Sequence, residues 1–472
     1  MNKRTSRFPC VRAIWMCAIL IATMAFLSVS SFARKSLTSY ESVQQVLASL
    51  SGLLPPELHS SDLAAQRKAW PDWISRHDQD IRSRLLRGDE DTMANWLLLG
   101  TSFTREPRAL LDVSATSGDL PQLISRRTRD LMSALAGADA NERIDFTRRL
   151  ILSQGYGLDT GEERARLDRH LTAVVDRVIA ERQQYSLRLD AALQTGDAAE
   201  ELTGESRLFR DRGLSLDTSV FPAFAIERAL KAMKDQKLLP PNSIRRIAVI
   251  GPGLDFADKN TGYDFYPVQT LQPFTSIDSL VRLGLAEGPD QVELTTLDIS
   301  ARVNGHIADL RERARTGASY LLRLPMDLGS PATPELIRYW RSIGDRIGSE
   351  SPVPKPPSIS DKLELRGVAV RPQVVERITP VDFNISTERW EGAPFDLVIA
   401  TNVLVYYDRL DQSLAFAAIE AMLRPGGFFL TNNAVVELPI SRLRSVGVTA
   451  VPYSTGERPS VEYVFWYRRN ER

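Results

Sequence analysis

The chain has 472 residues, with 59 basic against 59 acidic side chains, 43% hydrophobic and 25% charged residues. That length suggests two or three domains of about 150 residues each, and the composition excludes a disordered, collagenous or polytopic membrane protein. A net charge of zero argues against a nucleic-acid binder, which needs an excess of Lys and Arg to meet phosphates.

Residues 1–12 carry Lys3, Arg4, Arg7 and Arg12 and no acid, and 13–29 (AIWMCAILIATMAFLSV) are apolar. Ser31-Phe32-Ala33 then places small residues where a signal peptidase reads, the layout of a secretory signal peptide. The uncharged stretch 13–33 is also about long enough to span a bilayer, so the alternative over 1–33 is a membrane anchor. In either case the basic flank stays inside and the rest is expected to be exported, or anchored and facing outward. Both cysteines, Cys10 and Cys17, lie here, so no disulfide framework, zinc knuckle or thiol nucleophile exists beyond them. His59, His77, His170 and His306 show no paired spacing, and no metal site is expected. His170 shares a helical face with Glu163, Arg166 and Arg177, read as a solvated face.

From 34 to 200 the spacing predicts an α-helical domain. Val43, Val46, Leu47, Leu50 and Leu53 recur at three and four, as do Leu167, Leu171, Val174, Val175 and Val178, each set making one apolar stripe. Arg87-Gly88-Asp89-Glu90-Asp91 reads as a turn and helix start. Trp70, Trp73 and Trp96 are expected in the core. Residues 190–206, rich in Ala, Gly, Glu and Thr, read as a linker.

The texture then changes over 206–472. Ile247–Ile250 reads as a buried strand ending in Gly251-Pro252-Gly253, and 268–286 as a helix. A strand over 292–297 ends at Asp298, followed by a helix over 301–313. A Pro-rich insertion (351–357) precedes a short strand, 378–381, ending at Asp382. A strand over 395–400 precedes a helix over 409–423; Pro425-Gly426-Gly427 turns into Phe428-Phe429-Leu430. Residues 448–452 and 461–467 read as an antiparallel pair. Strands alternating with helices imply a parallel sheet covered on both faces, with ligands bound at the carboxyl ends of its strands.

Chemistry-bearing residues fall at those ends. Gly251 and Gly253 allow close backbone approach to a ligand and positive φ. Asp298 can accept hydrogen bonds from both hydroxyls of a ribose, and Asp382 from an adenine amino group. Each acid alone also suits a helix N-cap. Together, at successive strand ends, they point to a nucleoside pocket. The acid of a dinucleotide fingerprint follows its glycines by about 20 residues. Here Asp298 stands 45 beyond Gly253 and a third glycine is missing, which disfavours NAD.

The run from Pro394 to Asp408 (PFDLVIATNVLVYYD) with Leu423-Arg424-Pro425-Gly426-Gly427 resembles the class I S-adenosylmethionine-dependent methyltransferases. The local NVLVYYD is most similar to the chemotaxis-receptor glutamate methyltransferases. The resemblance covers about 240–470. It implies a Rossmann-like α/β fold with a seven-stranded sheet, helices on both faces and a last strand inserted antiparallel. It also implies S-adenosylmethionine as cofactor. Matched residue by residue, Gly251 and Gly253 fall on the family's glycine loop, with Asp255 where a third glycine often stands. Asp298 falls on the ribose acid, Asp382 and Phe383 on the pair flanking adenine, and Asn402 on the residue after strand four; Asn384 is an alternative match near Asp382. The chain departs from the pattern at Val249, where the family usually has an acid, at Asp255, and in the length of the loop 254–267. Asp255, Tyr263, Asp264, Tyr266 and Tyr406 are candidates for the acceptor side; no catalytic residue is assigned. The expected function is methyl transfer to an unidentified small-molecule or protein acceptor. The alternative is an exported, non-catalytic binding or scaffold protein retaining the fold.

Overall fold

A computed structural model describes residues 35–60, 62–109, 120–137, 141–195, 214, 221–256, 264–326, 332–354, 364–435, 437–456 and 459–471. The leader over 1–33, residues 196–206 of the linker and Tyr263 lie outside the described residues. Among the described residues, no helix is long and apolar enough to cross a membrane.

The N-terminal part holds β1 (Lys35–Leu37), α1 (Tyr40–Ser49), α2 (Leu63–Leu99), α3 (Leu120–Ala136), α4 (Glu142–Ser153) and α5 (Gly161–Thr195). Asp62 caps α2 by accepting from Ala64 N–H, and Asn141 caps α4 through Arg143 N–H. Residues 87–91 are neither a turn nor a helix start: they run through the middle of α2. The glycine that suggests a break is instead a packing device, because a Cβ on Gly88 would stand 2.0 Å from the Leu214 carbonyl oxygen. Trp70, Trp73 and Trp96 are buried. His170 is not simply solvated: it stacks on Tyr156 at 4.3 Å.

The helical part divides its packing. Val43, Leu47, Trp70 and Trp73 share a core with Leu410, Leu414 and Leu438 from the far end of the chain. Trp96, Leu98, Leu131, Ile151, Leu171 and Val175 build a separate core, which Phe256 enters. β1 pairs antiparallel with β8 (Glu388–Trp390).

After α6 (Phe221–Asp235) comes the main sheet: β2 (Arg246–Ile250), β3 (Glu293–Asp298), β7 (Ile378–Asp382), β9 (Phe395–Ala400), β10 (Leu423–Thr431), β11 (Leu443–Pro452) and β12 (Val461–Arg469). Its order is β11-β12-β10-β9-β2-β3-β7. β12 lies between β10 and β11 and runs antiparallel to both, while β10, β9, β2, β3 and β7 are mutually parallel. Central strands are apolar without alternation because both faces are covered. In β2, Ile247 and Val249 face one core, with α7 (Gln272–Arg282) and α8 (Ala301–Arg315). Ala248 and Ile250 face the other, with α11 (Arg409–Met422). This is the class I methyltransferase fold.

Two sequence signatures have local causes. Asp396 of the FDLV run accepts from the N–H groups of Arg245 and Arg246 at 2.8 and 2.9 Å, tying β9 to the start of β2. The Pro-Gly-Gly sits at a register shift in β10; Gly426 has φ +75°, and a Cβ on Gly427 would meet Arg424 O at 2.9 Å. Between α8 and β7 the chain adds a small antiparallel sheet, order β4-β6-β5, from β4 (Tyr320–Pro325), β5 (Gly348–Ser351) and β6 (Leu365–Val370). α9 (Pro334–Ser342) lies between β4 and β5, and α10 (Pro372–Glu376) leads from β6 into β7.

Candidate functional site

At the carboxyl ends of β2, β3, β7 and β9 lies a cleft. Gly251, Gly253, Asp298, Phe383 and Asn402 line it together. Three backbone features shape its floor. Gly251 and Gly253 have φ of +62° and +65°, and a Cβ on Gly251 would meet Val403 Cγ2 at 2.5 Å. Gly251 N–H donates to Leu297 O at 2.9 Å, joining the turn to β3. Asn402, two residues beyond β9, has φ +57° in the left-handed region, which asparagine tolerates better than most residues. Its N–H donates to Asn432 Oδ1 at 2.8 Å, and its Oδ1 accepts from Asn432 Nδ2 at 2.7 Å.

Asp298 is the sole carboxylate among the described lining residues, which otherwise comprise Gly, Ile, Leu, Val, Phe, Tyr, Thr, Asn and Gln. It is 6% exposed. Among the described residues its carboxylate accepts one hydrogen bond, from Ser300 N–H at 2.8 Å. Burial pushes its pKa up to about 7, against the lowering effect of that bond and of Arg302. A buried carboxylate so thinly partnered suits a ligand bringing hydroxyl donors.

The structure does not bring Asp255 or Asp382 to the cleft wall. Asp255 is buried, accepting from Tyr266 Oη at 3.2 Å and Gln269 Nε2 at 3.0 Å. Asp382 Oδ1 accepts from Arg82 of α2 at 2.7 Å, and its Oδ2 lies 3.7 Å from Lys35. Asn384 turns away too, donating to Asp78 at 2.8 Å. Asp78 also accepts from Thr387 Oγ1 at 2.6 Å, so α2 holds the 382–388 segment that carries Phe383. Of the acceptor-side candidates, Tyr406 lines the cleft, while Asp264 and Tyr266 are buried outside it.

Sequence reasoning missed part of the lining: Leu85 of α2, Leu214, Gln272, Ile299, Ile385, Thr401 and Tyr407. Gln272 Nε2 donates to Thr401 Oγ1 at 2.8 Å. Ile299, Thr401 and Tyr407 adjoin residues already singled out, which was an available signal. Leu85 and Leu214 carry none: each is an ordinary leucine far from any motif.

No family model matches the chain, and no curated protein matches it. Solved structures do. The glycopeptide N-methyltransferase MtfA complexed with sinefungin is 16% identical over 52% of this chain and 66% of that one, at TM-score 0.22. This chain thus spans just under two thirds of that protein's length. N-methyltransferase NodS from Bradyrhizobium japonicum WM9 is 14% identical over 54% of this chain and 100% of that one, at TM-score 0.25. CurJ carbon methyltransferase is 15% identical over 92% of this chain and 100% of that one, at TM-score 0.27. At such identities and scores the strand order itself remains the ground for the fold class.

Proposed function

We propose that the chain is an S-adenosylmethionine-dependent methyltransferase acting on an acceptor of unidentified structure, a small molecule or a protein. The observation that carries this reading is the convergence of Gly251, Gly253, Asp298, Phe383 and Asn402 in one cleft at four strand ends. The cofactor fits that lining: among the described residues the Asp298 carboxylate accepts from a backbone N–H and from no hydroxyl, and the bare Cα of Gly251 leaves room for close approach. Asp298 would accept from the ribose hydroxyls, the glycine turn would pass beside the amino-acid portion, and Phe383 would flank the base. When bound, the cofactor supplies a methyl group made electrophilic by its sulfonium. The chain's task is to align the acceptor and exclude water. Leu85, Leu214, Tyr406 and Tyr407 line the cleft with apolar and aromatic surface. Burial raises the Tyr407 phenol well above its ordinary pKa, so it stays a neutral wall.

The kinship with chemotaxis-receptor glutamate methyltransferases belongs to this proposal. It is supported by the NVLVYYD run, in which Asn402, Val403, Tyr406 and Tyr407 all line the cleft. So do the division into a helical domain (34–200) and a methyltransferase-like domain (206–472), export directed by residues 1–33, and, in the alternative, membrane anchoring through 13–33. A second reading, a non-catalytic binding protein, draws on Val249: the position of the family's acid is here an apolar side chain buried within the core.

Calorimetry of the chain with S-adenosylmethionine and S-adenosylhomocysteine tests the reading. Saturable binding of both is expected, and no heat from either would overturn it. Binding without transfer of labelled methyl to any acceptor in a cell extract would favour the second reading. An alkaline phosphatase fused at the C-terminus, active only where disulfides form, would support export; a fused reporter active only in the cytoplasm would refute it.

A further inference from the structure

We propose that Arg143, on α4 of the helical part, is a positioning residue for the glycine turn. This rests on the cofactor reading above and extends it to a residue far from the sheet. Arg143 is 2% exposed. Its Nε donates to Phe256 O and its Nη1 to Tyr266 O, the latter at 2.6 Å. The guanidinium lies over both rings, 5.4 Å from the Phe256 centroid and 5.7 Å from that of Tyr266. One planar fork therefore grips the chain soon after it leaves the glycine turn and again before it enters α7. Phe256 is three residues beyond Gly253, a reach of at most about 11 Å, so where Arg143 holds Phe256 constrains where the turn lies.

Two further contacts converge on this point. Arg302, four residues beyond Asp298, lies 4.4 Å from the Phe146 centroid and 5.4 Å from that of Phe256. The helix leaving the ribose acid thus closes on the same ring as the glycine turn. Asp264, fully buried, accepts from the N–H and hydroxyl groups of Thr101 and Ser102 at 2.7–2.9 Å. Glu142, beside Arg143, accepts from Val268 N–H at 2.8 Å. The helical part is thereby fastened to the chain on either side of the turn's exit, with Arg143 at the centre. An ammonium cannot reproduce a guanidinium bridging two carbonyls.

The test is S-adenosylhomocysteine affinity of the full chain and of Arg143→Ala and Arg143→Lys. Affinity is expected to fall roughly tenfold or more in both, through lost preorganisation. Millimolar guanidinium should restore binding to Arg143→Ala and leave the wild type unchanged. Unaltered affinity in a folded Arg143→Ala, or a loss that guanidinium does not rescue, overturns the proposal. If that variant does not fold, hydrogen exchange on the wild type decides. S-adenosylhomocysteine should slow exchange at the amides of 142–146, Ser102 and Val268; no change there at saturation overturns it. Failure of the wild type to bind at all would instead sink the cofactor reading.

Discussion

Cofactor affinity should depend on pH through Asp298. Its carboxyl is buried, accepts one hydrogen bond among the described residues, and has its pKa pushed up to about 7. Hydroxyl donors from a ribose favour the ionised form, so binding below pH 7 expels a proton. Linkage then makes affinity fall about tenfold per pH unit below 7 until the complex itself titrates. At pH 5 S-adenosylhomocysteine should bind about 100-fold more weakly than at pH 8, a difference of about 3 kcal/mol. Roughly 0.9 proton should be released on binding at pH 6. Calorimetry in two buffers of different ionisation enthalpy measures both quantities. Asp298→Asn removes this titration while leaving any from the ligand, and should bind about 1.5–3 kcal/mol more weakly at pH 8 through loss of charge-assisted bonds. The free chain behaves inversely. A carboxyl whose folded pKa is raised contributes stability below its unfolded value that is lost as pH rises through 7. The Asn variant should therefore be the more stable free protein above pH 7, by up to about 4 kcal/mol. A wild-type affinity flat from pH 5 to 8, or an Asn variant with the same slope, refutes this reasoning.

Gly251→Ala should abolish measurable S-adenosylhomocysteine binding: a left-handed alanine costs about 1–2 kcal/mol, and its Cβ meets Val403 Cγ2 at 2.5 Å. Adding Val403→Ala should restore part of the loss, and calorimetry on both variants checks it. Arg127→Met should cost about 2–5 kcal/mol of stability in urea unfolding by leaving buried carbonyls unpaired, because the buried guanidinium serves the carbonyls of Leu97, Gly100, Glu106 and Pro107. For His77, burial opposes the charged form, but the hydrogen bond to Asp411 at 2.6 Å and the charges of Asp411, Asp408 and Asp80 outweigh it and raise the pKa. That stabilisation is complete below about pH 6.5 and is lost as pH rises through the folded value; the melting-temperature gap between wild type and His77→Gln should narrow above pH 6.5.

The parallel strands were legible because a strand buried on both faces must be apolar throughout, as Ile247–Ile250 and Phe395–Ala400 are. The acids and glycines at their ends stood out against those runs. The antiparallel placement of β12 came through the family resemblance, since its pairing with β11 alone does not say which lies inside. The β4–β6 sheet was missed: its short strands, such as Tyr320–Pro325, are separated by long connections and carry no hairpin turn signal. Asp382 was read correctly as a strand end, but Arg82, which occupies its carboxylate, lies 300 positions away, and nothing local announces such a partner. Gly88 misled because a glycine in a helix normally signals weakness, whereas here it answers a neighbour.

That glycine fixes the clearance of the cleft. Leu214 N–H donates to Arg84 O at 3.2 Å, and its carbonyl rests against the bare backbone of α2 at position 88. Leu214 also lines the cleft together with Asp298 and Gly251. The headroom is therefore gauged by an atom the helix does not carry. One added methyl at 88 would act as a shim, displacing Leu214 without touching Asp298 or Gly251. Tolerance for bulkier occupants is thus adjustable from the outer scaffold, independently of the groups that grip a nucleoside.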